Sequence, residues 1–236
     1  MVSKTESQVG KYTDIDGDGI VDGIIFADLM VGGNGQYDTK EESIYNIPTI
    51  ASSKEYYVSQ ESYTDVLGGS AEVLTPVGKG NDRFYIMALK DISTKHYTWY
   101  NNALSNGNKI TDYETVTSTD FGKGKSNTIT MINKWNNKEY GEQSEKDLWG
   151  QIQNEVNDGW FVPSREELAA FANELKITSS NYSEKGLSYE YFGSSFRSSV
   201  QATTLNCGYS SSYGAGVMSG TQLNYFTCAV RLATTF

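Results

Sequence analysis

The last 46 residues, 191 to 236, form a segment with almost no charge, which we call the tail. Its only charged side chains are Arg197 and Arg231, whereas Ser, Tyr, Thr, Gly and Asn are abundant and both cysteines of the chain lie here. This composition is typical of an ordered recognition surface, where Tyr adds contact area and small polar residues add adaptable hydrogen bonds. Disordered segments can share it. Apolar residues such as Leu205 and Leu223 recur at intervals, however, and so predict short strands and tight loops.

The remainder of the chain is strongly acidic. It holds all 29 acidic side chains and 17 basic ones, a formal charge of −12, to which the tail adds +2. An acidic surface repels phosphates, so we expect no nucleic-acid partner. No apolar run approaches about 20 residues, so we expect no membrane insertion. The opening residues 1–11 lack a signal-peptide core, so a role outside the cell would need another route, such as assembly into a particle that is released by lysis.

Hydrophobic periodicity predicts several core elements. Arg83–Leu89 is the clearest buried strand, and shorter strands are expected at Glu55–Ser59 and Ala71–Thr75. Apolar spacing predicts helices at Lys125–Asn137 and Glu145–Asn157. No repeat or linker is visible, so we expect a single domain.

The most specific local signal is a helix start near residue 164. Ser164 and Glu167 have the spacing of a capping box, and Pro163 precedes them. Leu168 and Phe171 then fall on one helical face, which predicts a helix reaching about residue 175. A short strand is expected just before it, at Gly159–Val162.

An acidic loop near the start has the spacing of a calcium loop. Carboxylates occupy its first, third, fifth and ninth positions, a glycine stands at the sixth, and the seventh would contribute a backbone carbonyl. The candidate calcium ligands are Asp14, Asp16, Asp18, Ile20 and Asp22.

The twelfth position of this loop is Ile25, where a helix-loop-helix calcium site needs a bidentate glutamate. A sensor-type site is therefore excluded, and a looser, structural Ca²⁺ loop remains, with Asp28 as a further candidate ligand. The alternative is a hairpin of Asx-turns, in which the aspartates accept hydrogen bonds from backbone N–H groups.

The sequence contains no convincing catalytic motif. GKGKS at 122–126 lacks the first glycine of a phosphate loop and is better interpreted as a glycine-rich helix start. His96 is the only histidine, no serine lies in a G-x-S-x-G motif, and Cys207 and Cys228 lack the close spacing of zinc ligands. The two cysteines could pair, although two cysteines do not identify a compartment. We therefore expect a protein that is not an enzyme.

Three segments in the second half carry a family resemblance: GWFVPSREELAAFANEL (159–175), YEYFGSSF (189–196) and CAVRLATTF (228–236). Their order resembles the C-type-lectin-like proteins related to the formylglycine-generating enzyme. Within that group it resembles the variable proteins of diversity-generating retroelements, found in phages and gut bacteria. Phe192-Gly193 stands where Trp-Ser is common in the family.

The resemblance covers residues 145–236 best, with a variable region at about 191–230. It implies an α+β C-type-lectin-like fold over residues 1–236, with two or three helices, a small antiparallel sheet and much irregular structure. The implied function is recognition of a protein or glycan ligand on a cell or particle surface. The implied ligand-binding residues are Phe192, Phe196, Arg197, Val200, Thr203, Thr204, Asn206, Cys207, Tyr209, Ser210, Tyr213, Asn224, Tyr225, Phe226 and Cys228.

The family's diversification also implies a cause for the composition of the tail. It alters adenines, chiefly in Asn codons, and Asn codons changed at their first two bases cannot encode Lys, Glu, Gln, Met or Trp. The tail has no Lys or Glu. Gln201, Met218 and Gln222 are then fixed framework residues, as are Arg231 and Phe236 of the closing segment. Two alternatives remain open: a formylglycine-generating type of enzyme that uses cysteines, and a fixed lectin or structural component of a particle.

Overall fold

The computed structural model describes residues 1–104, 107, 109–208 and 221–236, and within them the chain has the α+β class expected. Its strands are β1 Tyr12–Thr13, β2 Gly23–Asp28, β3 Gly33–Gln36, β4 Ile44–Ile47, β5 Glu55–Gln60, β6 Val73–Val77, β7 Phe84–Ala88, β8 Glu190–Ser198, β9 Gln201–Asn206, β10 Thr221–Gln222 and β11 Ala233–Thr235. Its α-helices are α1 Tyr113–Val116, α2 Gly124–Asn136, α3 Leu148–Gln151, α4 Gln153–Asn157 and α5 Arg165–Glu174, with a 3₁₀ turn at Glu41–Ser43.

The largest sheet has six strands in the order β11-β7-β2-β1-β6-β5. It is larger than the small antiparallel sheet expected, and its β1–β6 pair is parallel. The closing strand β11 pairs antiparallel with β7, with Ala233 opposite Met87. The closing segment thereby becomes a strand of the sheet formed by the first half of the chain, which suits its content of residues that favour strands. Two smaller sheets, β10-β9-β8 and β3-β4, complete the fold.

Helix α5 confirms the capping-box prediction. The Ser164 Oγ accepts a hydrogen bond from the Glu167 N–H at 3.3 Å, and a Glu167 carboxylate oxygen accepts one from the Ser164 N–H at 2.7 Å. Each group satisfies a backbone N–H that the first turn of a helix leaves unpaired. On the buried face, the Phe171 ring meets Phe26 of β2 edge to face, with centroids 6.0 Å apart. The helix is thus fixed to the large sheet.

The predicted helix α2 is also present and begins at Gly124, one residue earlier than expected. Glycine is required there because a β-carbon would collide with the Glu167 carboxylate and the Phe161 ring. Glu167 in turn accepts a hydrogen bond from the Gly122 N–H at 3.0 Å. The glycine-rich start of α2 and the start of α5 are therefore packed against each other.

The predicted helix at 145–157 is wrong in its extent. Asp147 is extended (φ −76°, ψ 131°), and its carboxylate accepts hydrogen bonds from the Thr98 hydroxyl and the Trp135 indole N–H. Because these hydrogen bonds hold Asp147 in an extended conformation, helix α3 begins only at Leu148. It ends at buried Ile152 (φ −107°), after which α4 forms one further turn.

The predicted strands are confirmed in β5, β6 and β7, with ends shifted by one or two residues. The strand expected at Gly159–Val162 is reduced to one isolated pair, Phe161 with Ala233.

Candidate functional site

The tail begins with a hairpin, β8–β9, whose inner face lies in the core. Phe192 and Phe196 are 0% and 5% exposed. The Phe196 ring packs edge to face on Trp99, with centroids 4.6 Å apart. A side chain held in this way cannot reach a ligand, so both phenylalanines are corrected from binding residues to core residues.

Thr203 and Thr204 of β9 are likewise buried. The Thr203 hydroxyl donates to the Ser195 carbonyl at 3.1 Å, and the Thr204 hydroxyl donates to the Glu190 carboxylate at 2.8 Å. Because their hydroxyls stabilise the hairpin from inside, these two threonines are also corrected from ligand contacts to framework.

The glycine at position 193 has a steric reason. A β-carbon at Gly193 would lie 2.7 Å from the Thr203 hydroxyl and 3.1 Å from a Leu168 methyl. The Gly193 carbonyl also accepts a hydrogen bond from the Trp99 indole N–H at 2.9 Å. In this chain the position is a close approach between hairpin and helix, where only glycine fits unless the neighbours shift.

Cys207 and Cys228 are free and buried, and they lie in different apolar clusters. Burial raises the pKa of the Cys207 thiol to about 12 and also raises that of Cys228. Nucleophilic cysteines are accessible and have lowered pKa values. The predicted role of both cysteines as ligand contacts is corrected to core packing, and they form no disulfide.

Residues 224–227 carry the largest exposed side chains of the described tail; we call this segment the aromatic loop. Tyr225 is 63% and Phe226 47% exposed, and their ring centroids are 5.0 Å apart. Before the loop, the Leu223 carbonyl accepts a hydrogen bond from the Tyr100 N–H at 3.0 Å. After it, Cys228 exchanges two backbone hydrogen bonds with Tyr97. The loop is therefore held at both ends while its two rings face solvent.

The other predicted binding residues outside the core are more dispersed. Arg197 is exposed, and its guanidinium lies 3.8 Å from the Glu42 carboxylate. Val200, Asn206 and Asn224 are half-buried. Tyr209, Ser210 and Tyr213, and the predicted framework residue Met218, lie outside the described residues.

Three of the predicted framework residues lie in or beside strands of the described chain. Gln201 and Gln222 are opposite each other in the β9–β10 register. Phe236 is buried, with its ring centroid 5.0 Å from that of Tyr56.

Arg231 lies in a site that sequence reasoning did not foresee. Its Nε donates to the Asp91 carboxylate at 2.7 Å, and its guanidinium carbon lies 5.7 Å from the centroid of the Tyr191 ring. Ser188 also donates to Asp91, at 2.8 Å. This cluster links the closing segment to the start of β8. Asp91 and Arg231 are 140 residues apart in the chain, so no local sequence pattern predicts their contact.

The acidic loop leading to β2 contains a group of three carboxylates. One oxygen from each of Asp14, Asp16 and Asp18 lies within 4.8 Å of the others, and the group could hold a metal ion. The Asp14 carboxylate is buried and accepts hydrogen bonds from two N–H groups, those of Gly17 and Gly19, at 2.8 and 3.0 Å. The Asx-turn alternative therefore describes the loop's backbone hydrogen bonds.

The other two candidate calcium ligands are placed differently. The Asp22 carboxylate accepts a hydrogen bond from the Ile15 N–H at 2.7 Å. Burial, reinforced by the neighbouring carboxylates, raises the pKa of Asp22. Ile20 has an exposed side chain, and its carbonyl was the atom predicted to contribute. Asp22 thus lies outside the group of three carboxylates.

Within the described ranges, no helix combines the length and apolarity needed to cross a membrane. Comparison of the chain with models of protein families, with curated proteins and with solved structures finds no match.

Proposed function

We propose that this chain is a non-enzymatic recognition protein with a C-type-lectin-like scaffold, diversified by a retroelement. The observation that carries the proposal is the aromatic loop. Two large rings, Tyr225 and Phe226, face solvent on a segment whose ends are hydrogen-bonded to the core. Rigid aromatic side chains of this kind are effective anchors in recognition surfaces, because little entropy is lost when they contact a ligand.

The division of the tail into two sets of residues supports the same proposal. A diversified surface needs a scaffold that tolerates changes on one face and is fixed by packing on the other. The buried set builds the β8–β9 hairpin and the cores beneath it. Of the predicted binding residues in the described tail, those that are exposed or half-buried are then available to a protein or glycan ligand on a cell or particle surface: Arg197, Val200, Asn206, Asn224, Tyr225 and Phe226.

Sequencing the encoding locus tests the diversification part of this proposal. We expect a near-identical repeat of the tail's coding sequence beside a reverse-transcriptase gene, with differences confined to adenines of the repeat. Codons for Gln201 and Gln222 should match in both copies, whereas codons for Asn224 and Tyr225 should fall at adenine positions. A locus with neither the repeat nor the reverse transcriptase would leave a fixed lectin or structural particle component as the better description.

Two surface-displayed libraries test the scaffold part. One randomises the exposed Arg197, Tyr225 and Phe226, and the matched control randomises the buried Phe196 and Thr204. We expect most members of the first library to resist protease as the parent does and most members of the second to be cleaved. Equal loss in both libraries would contradict a tolerant binding face.

The buried cysteines offer no support for the enzymatic alternative. A formylglycine-generating type of enzyme that relies on Cys207 or Cys228 would require an accessible thiolate. Turnover of a sulfatase-type peptide that is lost in Cys207→Ser or Cys228→Ser would overturn the non-enzymatic proposal.

We also propose that the acidic loop binds Ca²⁺ as a structural ion, through Asp14, Asp16 and Asp18. When free Ca²⁺ is present at 100 times the Kd of the site, binding adds about 2.7 kcal/mol to the free energy of unfolding. At about 2–4 °C per kcal/mol for a chain of this size, EGTA should then lower the Tm by about 5–10 °C. The D16N/D18N variant should lose this response, and the control E61Q/E184Q, which removes two exposed carboxylates elsewhere, should keep it. A Tm indifferent to EGTA would leave the Asx-turn interpretation alone.

A further inference from the structure

A groove of about 410 Å³ on the surface brings together three basic side chains of this acidic protein. It is lined by Lys95, His96 and Lys146, together with Tyr97, Glu145 and Gln151. The three basic residues are exposed, and within the described part of the chain none of them forms an ion pair. The charges of the two lysines and the imidazole of His96 are therefore available to a ligand.

The walls of the groove are held in place by hydrogen bonds between two distant segments. The Lys146 carbonyl accepts from both the N–H and the hydroxyl of Thr98, at 2.9 and 3.0 Å. On the other wall, Ser93 Oγ accepts from the Lys95 N–H at 2.9 Å and lies 2.7 Å from the Tyr97 hydroxyl. The basic residues are thus presented by an ordered backbone, although about 50 positions separate Lys95 from Lys146 and no local motif marks them.

We propose that this groove binds a tetrahedral oxyanion group, a sulfate or a phosphate. Two lysines and a histidine provide several N–H donors around one space, which suits a tetrahedral group with several acceptor oxygens. Glu145 is the only carboxylate in the lining, so the balance of charge favours an anion. The volume lies within the range of small-molecule sites, about 300–1,000 Å³, and can hold the group together with part of the molecule that carries it.

The groove borders the aromatic loop, since Tyr97 lines the groove and also pairs with Cys228 at the end of that loop. A sulfated or phosphorylated ligand could therefore contact both places. The inference itself stands on the groove alone and does not depend on diversification of the tail.

His96 makes the test direct because it is the only histidine in the chain, so its imidazole signals in an NMR spectrum need no assignment. Titration with sodium sulfate, against sodium chloride at matched ionic strength, should move these signals along a saturable curve. K95Q and K146Q should each weaken sulfate binding about thirtyfold, the effect of one unit charge acting on a dianion at about 4 Å in water. K79Q, which removes an exposed lysine elsewhere, should bind like the parent, and equal Tm values would confirm that all three variants are folded.

Further titrations with galactose 6-sulfate, glucose 6-phosphate and unmodified galactose distinguish which carrier of the oxyanion is preferred. A saturable response to either charged sugar, without one to galactose, supports the proposal. A response to sulfate no larger than that to chloride, or one that K95Q and K146Q leave unchanged, would overturn it. Neither result bears on the aromatic loop, so failure of this inference and failure of the proposed function are separable.

Discussion

The same substitution, Phe to Ala, should have opposite consequences at two places in the tail. Phe196 is 5% exposed and packs on Trp99 and Tyr140, whereas Phe226 is 47% exposed and contacts Tyr225. Removing a buried phenylalanine costs about 3–5 kcal/mol, because both its transfer from water and its packing contacts are lost. A surface substitution usually changes stability by less than about 0.5 kcal/mol.

The expected difference is large enough to measure by thermal unfolding. At about 2–4 °C per kcal/mol for a chain of this size, Phe196→Ala should lower the Tm by about 6–20 °C. Phe226→Ala should change it by about 2 °C or less on the same scale. The assay is circular dichroism during heating, with urea unfolding at 25 °C to give the free energy directly.

Because both variants lose the same atoms, the comparison isolates the position of the side chain. A Phe226→Ala variant that loses as much stability as Phe196→Ala would show that the aromatic loop is part of the core. A Phe196→Ala variant with an unchanged Tm would show that the hairpin's inner face is not packed as described. Either result would refute the division of the tail on which the proposed recognition surface depends.

Three further substitutions test the framework. Burial raises the pKa of Glu167 from an ordinary value of 4.5 to about 7, so its contribution to stability is full below pH 4.5 and is lost as the pH rises through 7. Each pKa unit corresponds to 1.36 kcal/mol, so the free energy of unfolding of the parent, relative to that of E167Q, should fall by up to about 3 kcal/mol across that pH interval. Urea unfolding measures this difference, and a rise with pH would contradict the prediction. D28A should lower the free energy of unfolding by about 3–5 kcal/mol, as measured in urea. The Asp28 carboxylate lies 2.8 Å from the buried Arg83 guanidinium, which would be left buried without its partner. A loss under 1 kcal/mol would count against a stabilising buried pair. Gly193→Ser should lower stability by about 1–3 kcal/mol through crowding against Thr203, and an unchanged Tm would mean that the neighbours shift freely.

Prediction from the sequence succeeded where the signal was local. The capping box of α5 joins Ser164 to Glu167, three positions later, and this short spacing can be recognised from the sequence alone. Strand β7 was found as a continuous apolar run. Helix α2 was found by the spacing of its apolar residues, although the face that it buries contains Asn127, Thr128 and Met131 while Ile129 is exposed. The helix expected at 145–157 failed because Asp147 is bound by Thr98 and Trp135, and neither partner is near it in sequence.

The proposed recognition surface shows the same limit. Phe192, Phe196 and Phe226 are the same residue type in one charge-poor segment, so composition could not separate them. The pairing of β8 with β9 turned the first two inward, while the backbone pairing of Tyr97 with Cys228 holds the third outward.

The sequence by itself determined the capped helix α5, the position of helix α2, the three strands β5, β6 and β7, and the low charge of the tail. Each of these depends on neighbours a few residues apart or on composition. Only the tertiary structure decided which tail residues face solvent, that the two cysteines lie in separate cores, and that Lys95 and Lys146 line one groove. Those outcomes depend on strand register and on contacts between residues far apart in the chain, and side-chain direction reverses with every single step of register.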